Sequence, residues 1–209
     1  MDEIEAAGYL FDMDGTLVDS TAVVESVWTA FGLRNGVDPG ALLAYAHGRQ
    51  AVDTVAHFLP AVSVEERDEL VRGLVAEEVT RTDGIVEIPG AAELVDGLLS
   101  DGAPVAVVTS APRELAVARM RAAGVPVPSV LVAAEDVARG KPDPQGYLLA
   151  AERLRVPIGE CVVLEDAEAG LVAAVASGAR VIVVGEHTSA TTAGLPRLAD
   201  YRGVSATAH

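Results

Sequence analysis

The chain has one cysteine, Cys161, among 209 residues. A lone cysteine cannot close an internal disulfide, so a disulfide-stapled fold is excluded and a reducing cytoplasm is the expected setting. Basic residues are also few. Fifteen Lys and Arg face 31 Asp and Glu, giving a net charge of −16. Nucleic acid and anionic membrane surfaces both need basic protein surface, so neither is expected as a partner. No apolar run approaches the length of a membrane span. The acidic opening "MDEIEAAGYLF" lacks a basic segment followed by a long apolar one, and no secretory leader is expected there. Lysine is scarcest of all, because Lys141 is the only one. An anionic substrate would need positive charge concentrated locally, and this lysine lies in "RGKPDP", between turn formers.

What is present is a globular chain. Apolar residues make up 50% of it, and 209 residues can bury a full core in one to one and a half domains. "GYLFD" reads as a short buried strand ending at Asp12. From Leu17 to about Arg81 the pattern is helical, in four segments with no strand between them. Asp38 with Pro39 marks one helix start, and Ser63 with Glu66 has capping-box spacing. After Asp83-Gly84 strands and helices alternate. "PVAVV", "VLVAA", "CVVLED" and "RVIVVG" are continuously apolar, as strands buried on both faces are. The expected fold is α/β, a Rossmann-like parallel sheet with helices on both faces. Residues 1–19 and 84–209 form this core, and 20–83 form an inserted α-helical cap. The final stretch from Glu186 has no clear period, so a loose edge and tail are expected.

Ligands of open parallel sheets bind beyond the carboxyl ends of the strands. Those ends carry "DMDGT" (Asp12, Asp14, Gly15, Thr16), then Thr109-Ser110 at an expected helix start, then "GKPDP" with Lys141, then Glu165-Asp166. Two aspartates this close raise each other's pKa, and buried carboxylates need compensation. Four carboxylates with one ammonium at one pole suit a hard dication such as Mg²⁺. Each element alone has an ordinary reading: a turn, an N-cap, a solvated loop lysine, an acidic loop. Their joint occurrence, in order, at ends of strands of one sheet is what points to a site.

These motifs resemble those of the haloacid dehalogenase-like phosphohydrolases over about Gly8 to Gly185. "DMDGT", "VVTS", "GKPDP" and "VLEDAEAG" match the family's four motifs. In the cap, "HGRQAVDTVAHF" is similar to sugar- and polyol-phosphate phosphatases, such as those for glycerol phosphate and 2-deoxyglucose 6-phosphate. The resemblance implies a Mg²⁺-dependent phosphatase acting on a small phosphorylated sugar or polyol through an aspartyl-phosphate intermediate. It implies Asp12 as nucleophile and Asp14 as acid and base. Mg²⁺ would be held by Asp12, the Asp14 carbonyl, Glu165 and Asp166. Lys141 would pair with Asp12 and the phosphoryl group. Thr109 and Ser110, with Gly15 and Thr16, would line the phosphate seat. Gly48 would end a cap helix and leave His47 and Arg49 on a turn, facing the substrate when the cap closes. A C-cap with two solvated neighbours is the other reading of that turn.

Alternatives remain at this point. Phosphoglycolate phosphatase shares the motifs and differs only in the cap. A β-phosphoglucomutase-like mutase carries a histidine shortly after the first motif, near where Val24 stands here. A receiver module uses similar residues, but its acceptor follows a later strand and it has no helical insert. A catalytically dead binding protein would be expected to lack one of the polar residues, and all are present. Trp28 and His57 read as structural, Cys161 as inert core, and His187 has no partner that the sequence names. A monomer is favoured.

Overall fold

The computed structural model describes residues 3–208. Met1, Asp2 and His209, which the readings of the two ends included, lie outside that range. A short strand β1 (Glu3–Ala6) leads into β2 (Gly8–Phe11). A two-residue strand β3 (Val18–Asp19) opens the insert. Its helices are α1 (Thr21–Asn35), α2 (Pro39–Ala46), α3 (Ala51–Phe58) and α4 (Val64–Thr80), and β4 (Val86–Glu87) closes it. There follow α5 (Ala91–Ser100), β5 (Val105–Val108), α6 (Arg113–Ala122), β6 (Val130–Val132), α7 (Gln145–Leu154) and β7 (Cys161–Glu165). The chain ends with α8 (Glu168–Ser177), β8 (Arg180–Val184), β9 (Arg197–Leu198) and β10 (Ser205–Ala208).

Six strands form one parallel sheet in the order β6-β5-β2-β7-β8-β9. Their side chains alternate between two cores, as the pleat requires. Tyr9, Phe11, Val105, Val107 and Leu164 pack on the side of α5 and α6. Leu10, Ala106, Val108 and Val163 pack on the side of α7 and α8. Both faces are therefore covered, which is why these strands are continuously apolar. The connections run outward on opposite sides of β2, so its carboxyl end lies at the switch point where such sheets bind ligands.

The insert has a core of its own, built from Val27, Trp28, Phe31, Leu42, Val55 and Leu74. Its helix boundaries follow from local chemistry. The Asp38 side chain accepts from the Ala41 N–H, with Pro39 in the first turn of α2. Ser63 and Glu66 make the full capping box of α4, a device worth about 1 kcal/mol. Gly36, at φ 68°, ends α1 in the left-handed conformation that glycine adopts without penalty.

Two expectations need correction. The helical pattern does not begin at Leu17: the Met13 carbonyl accepts from the N–H groups of Leu17 and Val18, and β3 follows, pairing antiparallel with β4. The segment after Glu186 is not a loose tail. β9 joins the edge of the main sheet, and β10 returns to pair in parallel with β1. Strands of two and four residues on a half-exposed edge are too short to print a period in the sequence.

Candidate active site

Register brings the acidic residues together. Phe11 pairs with Leu164 across β2 and β7, so Asp12 and Glu165, the next residues, stand side by side. The Asp12 N–H still donates to the Leu164 carbonyl at 3.0 Å. Lys141 Nζ pairs with Asp12 Oδ1 and donates to Glu165 Oε1 at 2.7 Å. Glu165 also accepts from Tyr147 Oη at 3.3 Å and from the Ala167 N–H at 2.7 Å. Asp166 Oδ1 accepts from Thr16 Oγ1 at 3.0 Å. Asp12, Lys141 and Glu165 are all buried.

Two glycines make room for these carboxylates. A Cβ on Gly15, which sits at φ +84°, would fall 2.0 Å from Asp166 Oδ2. A Cβ on Gly170 would fall 1.5 Å from Glu165 Oε1. Gly15 and Thr16, expected at the phosphate seat, both place Asp166; Gly15 lines the cleft between core and cap, whereas Thr16 is fully buried and does not.

Burial dominates the electrostatics. It pushes the Asp12 carboxyl well above its usual range, against the pull of Lys141 and with the push of Glu165 and Asp166. Asp166 is pushed up to about 8, by burial first and the Glu165 charge next. Burial works against the Lys141 ammonium, yet Asp12 and Glu165 hold it well above the ordinary lysine range. Three carboxylates with ligand oxygens within 4.8 Å of one another, Asp12, Glu165 and Asp166, face a single ammonium. A buried, all-oxygen donor set in which three carboxylates outnumber one ammonium fits a hard dication such as Mg²⁺, whose charge would favour their ionised forms.

Asp14 is turned another way. Its Oδ1 accepts from Ser20 Oγ at 2.6 Å, and its Oδ2 from Arg119 Nη1 at 2.8 Å. Arg119 Nη2 reaches Glu78 of α4 at 2.9 Å. Ser20, Glu78 and Arg119 did not emerge from the sequence reading. The signal was available for two of them. Arg119 interrupts the apolar stripe of Leu115, Ala116 and Met120, and Glu78 stands one turn after Leu74 on a buried face.

A cleft of about 130 Å³ lies between core and cap. Asp12, Asp14, Thr109, Ser110 and Asp166 line its core side, and His47, Gly48 and Arg49 its cap side. Lys141 and Glu165 stand behind that wall. Thr109 and Ser110, expected at a helix start, do not open one, because α6 begins at Arg113. Pro112 sets that start, by its fixed φ at the N-cap. Thr109 Oγ1 accepts from the Ala111 N–H, and Ser110 Oγ donates to the Gly48 carbonyl at 2.9 Å. Gln50 Nε2 donates to the Ala134 carbonyl at 3.1 Å, so the cap turn is seated on the core loops. Gly48, at φ +74°, allows this close approach: a Cβ there would meet Ala167 Cβ at 3.0 Å. Arg49 lies over the Tyr45 ring at 4.5 Å, and Tyr45 stacks on His57 at 4.1 Å. Trp28 is buried in the cap core and also borders the cleft. Cys161 lies buried in β7, its thiol pushed up to about 11 by burial. His187 does have a partner, since its Nε2 is 2.9 Å from Glu168.

The haloacid dehalogenase-like hydrolase family matches residues 7–178. The chain belongs to that family. It is therefore an enzyme, and the receiver-module and dead-binder readings fall away. Hexitol phosphatase A of Escherichia coli is 45% identical over 177 residues, spanning 85% of this hydrolase and 82% of that protein. Glycerol-1-phosphate phosphohydrolase 2 of Saccharomyces cerevisiae is 34% identical over 185 residues, spanning 83% and 72%. Among solved structures, CbbY from Rhodobacter sphaeroides in complex with xylulose-(1,5)bisphosphate superposes with a TM-score of 0.82. It is 26% identical and the match covers 96% of this hydrolase and 97% of CbbY.

Proposed function

We propose that this hydrolase is a Mg²⁺-dependent phosphatase for a small phosphorylated polyol or sugar, of the hexitol-phosphate type. The carrying observation is the closed constellation of Asp12, Lys141, Glu165 and Asp166 beneath a cleft whose other wall is the cap. The 45% identical hexitol phosphatase supports the substrate class. Asp12 is the nucleophile, held by Lys141 so that one carboxylate oxygen is fixed and the other can face phosphorus. Asp14 donates the proton to the leaving alkoxide and takes one from the water that hydrolyses the aspartyl phosphate. The Asp12, Glu165 and Asp166 side chains and the Asp14 carbonyl would hold the metal. When bound, Mg²⁺ supplies positive charge that offsets carboxylate repulsion and eases attack of an anion on an anion. The cap covers residues 20–83, excludes water and selects the leaving group through Arg49 and His47. Val24, which stands near where mutases of this kind carry a histidine, borders the cleft, and this favours hydrolysis over a mutase step.

Phosphate release tests this reading directly. Hexitol phosphates, glycerol phosphate, 2-deoxyglucose 6-phosphate and phosphoglycolate would be compared, with Mg²⁺ and with EDTA. A polyol or sugar phosphate is expected to have the highest kcat/KM, with no turnover in EDTA or in Asp12→Asn. Phosphoglycolate as the best substrate would overturn the substrate class, and an active Asp12→Asn enzyme would overturn the chemistry.

A further inference from the structure

Arg119 spans two carboxylates from different parts of the fold. Nη1 is 2.8 Å from Asp14 Oδ2, in the loop after β2, and Nη2 is 2.9 Å from Glu78 Oε1, on cap helix α4. The Arg119 and Glu78 side chains are each 5% exposed, and Arg119 Nε has no partner among the described residues. The guanidinium fork is thus oriented by these two anions. Asp14 in turn has two side-chain anchors, Arg119 and Ser20.

Stability alone does not account for this cluster. Arg119 and Glu78 form a buried ion pair, for which apolar residues of similar volume commonly serve packing as well or better, and Arg119 also reaches Asp14, whose side chain is 32% exposed at the cleft. Burial of this pair is therefore a cost that some other role offsets. That role is geometric. Asp14 can serve as a proton donor only with an oxygen near 3 Å from the leaving oxygen, and a misplacement of about 1 Å can cost roughly a hundredfold in rate. Glu78 belongs to the cap and Asp14 to the core, so any movement of one body against the other must break this chain of bonds or carry Asp14 with it.

We propose that Arg119 and Glu78 are positioning residues for Asp14, aiming the acid/base carboxylate at the ester oxygen and making its aim depend on a seated cap. The proposal rests on the reading of Asp14 as the acid and base. It predicts a loss that depends on the leaving group, because an alkoxide needs a proton to depart and p-nitrophenolate does not.

The test compares kcat/KM for a hexitol phosphate, propyl phosphate and p-nitrophenyl phosphate in Glu78→Gln, Arg119→Lys and Asp14→Asn. Glu78→Gln and Arg119→Lys should lose about ten- to a hundredfold on both alkyl esters and less than about threefold on the aryl ester. An equal loss on all three substrates would mean a merely structural role and overturn the proposal. A loss confined to the hexitol phosphate would mean that the pair reads substrate hydroxyls, and would overturn it too. Asp14→Asn separates the two levels. If it shows no leaving-group dependence, the acid/base reading itself fails. If it does and Glu78→Gln does not, only the positioning role fails. Melting curves accompany each variant, and the isosteric Glu78→Gln carries the test if Arg119→Lys does not fold.

Discussion

Lys141 Nζ stands 2.7 Å from Glu165 Oε1, and Glu165 is shut off from solvent. With Asp12 on its other side, the ammonium is a fixed point between two anions rather than a tether on a loop. A planar guanidinium cannot take that place, because its fork spreads its donors and needs more room. Lys141→Arg should lose at least about a hundredfold in kcat, the equivalent of two charge-assisted hydrogen bonds of about 1.5–3 kcal/mol each. Phosphate-release kinetics would check this, and a fully active Arg variant would return Lys141 to an incidental role.

Gly170 lies in α8, where alanine would ordinarily favour the helix by about 1 kcal/mol. Here the added Cβ would fall on the Glu165 carboxylate. Glu165 has no free direction to retreat, since Lys141, Tyr147 and the Ala167 N–H all hold it. Gly170→Ala should therefore lower kcat by about tenfold or more, with no gain in Tm. Unchanged kcat would show that Glu165 can shift without consequence.

Metal affinity should depend on pH. With its carboxyl raised to about 8, Asp166 is protonated in the metal-free fold at pH 6 and ionised in the unfolded chain. Its contribution to stability therefore falls as pH rises from about 4 toward 8. A dication needs the ionised carboxylate, so binding releases a proton and strengthens with rising pH, by up to about tenfold per unit below 8. The rise in Tm on adding Mg²⁺ should be larger at pH 8 than at pH 6, and Asp166→Asn should flatten the difference. Equal rises at both pH values in the unmodified enzyme would contradict the assignment.

Arg49 is held over Tyr45 at the cap edge of the cleft. Arg49→Ala should cost about ten- to a hundredfold in kcat/KM on the best substrate, the loss of one charge-assisted hydrogen bond. A much smaller loss on p-nitrophenyl phosphate would mean that Arg49 reads the polyol, and a similar loss that it grips the phosphate. Unchanged kinetics on every ester would leave the turn as a docking element only.

The sequence exposes the strand ends well, because each continuously apolar run stops at a charged or hydroxyl residue. Asp12, Thr109 and the Glu165-Asp166 pair stand out for that reason, and Lys141 as the chain's one lysine, set among turn formers. The caps of α2 and α4 are equally plain, since Asp38, Ser63 and Glu66 act within three residues. What could not be read is pairing at long range. Arg119 meets Glu78 across 41 residues and Asp14 across 105. A charged residue in an apolar stripe shows only that some partner is needed, not which one. The Ser110 hydroxyl is similar: its use by Gly48 depends on where the cap sits. β1 and β10 escaped because half of their side chains face outward, so neither carries an apolar run.

The β3–β4 pair sets Val18 opposite Glu87 and Asp19 opposite Val86. The chain thus leaves the core and returns to it at adjacent points. Whatever lies between those points is, for the sheet, a closed loop. The entropy of closing a flexible loop grows only logarithmically, by about 0.6 kcal/mol for each doubling of its length. Changes in length between Asp19 and Val86 would then cost the sheet little more than that, provided Ser20, Gly48, Gln50 and Glu78 keep their contacts with the core. The insert is therefore tied to the core at a handful of contacts rather than along its length.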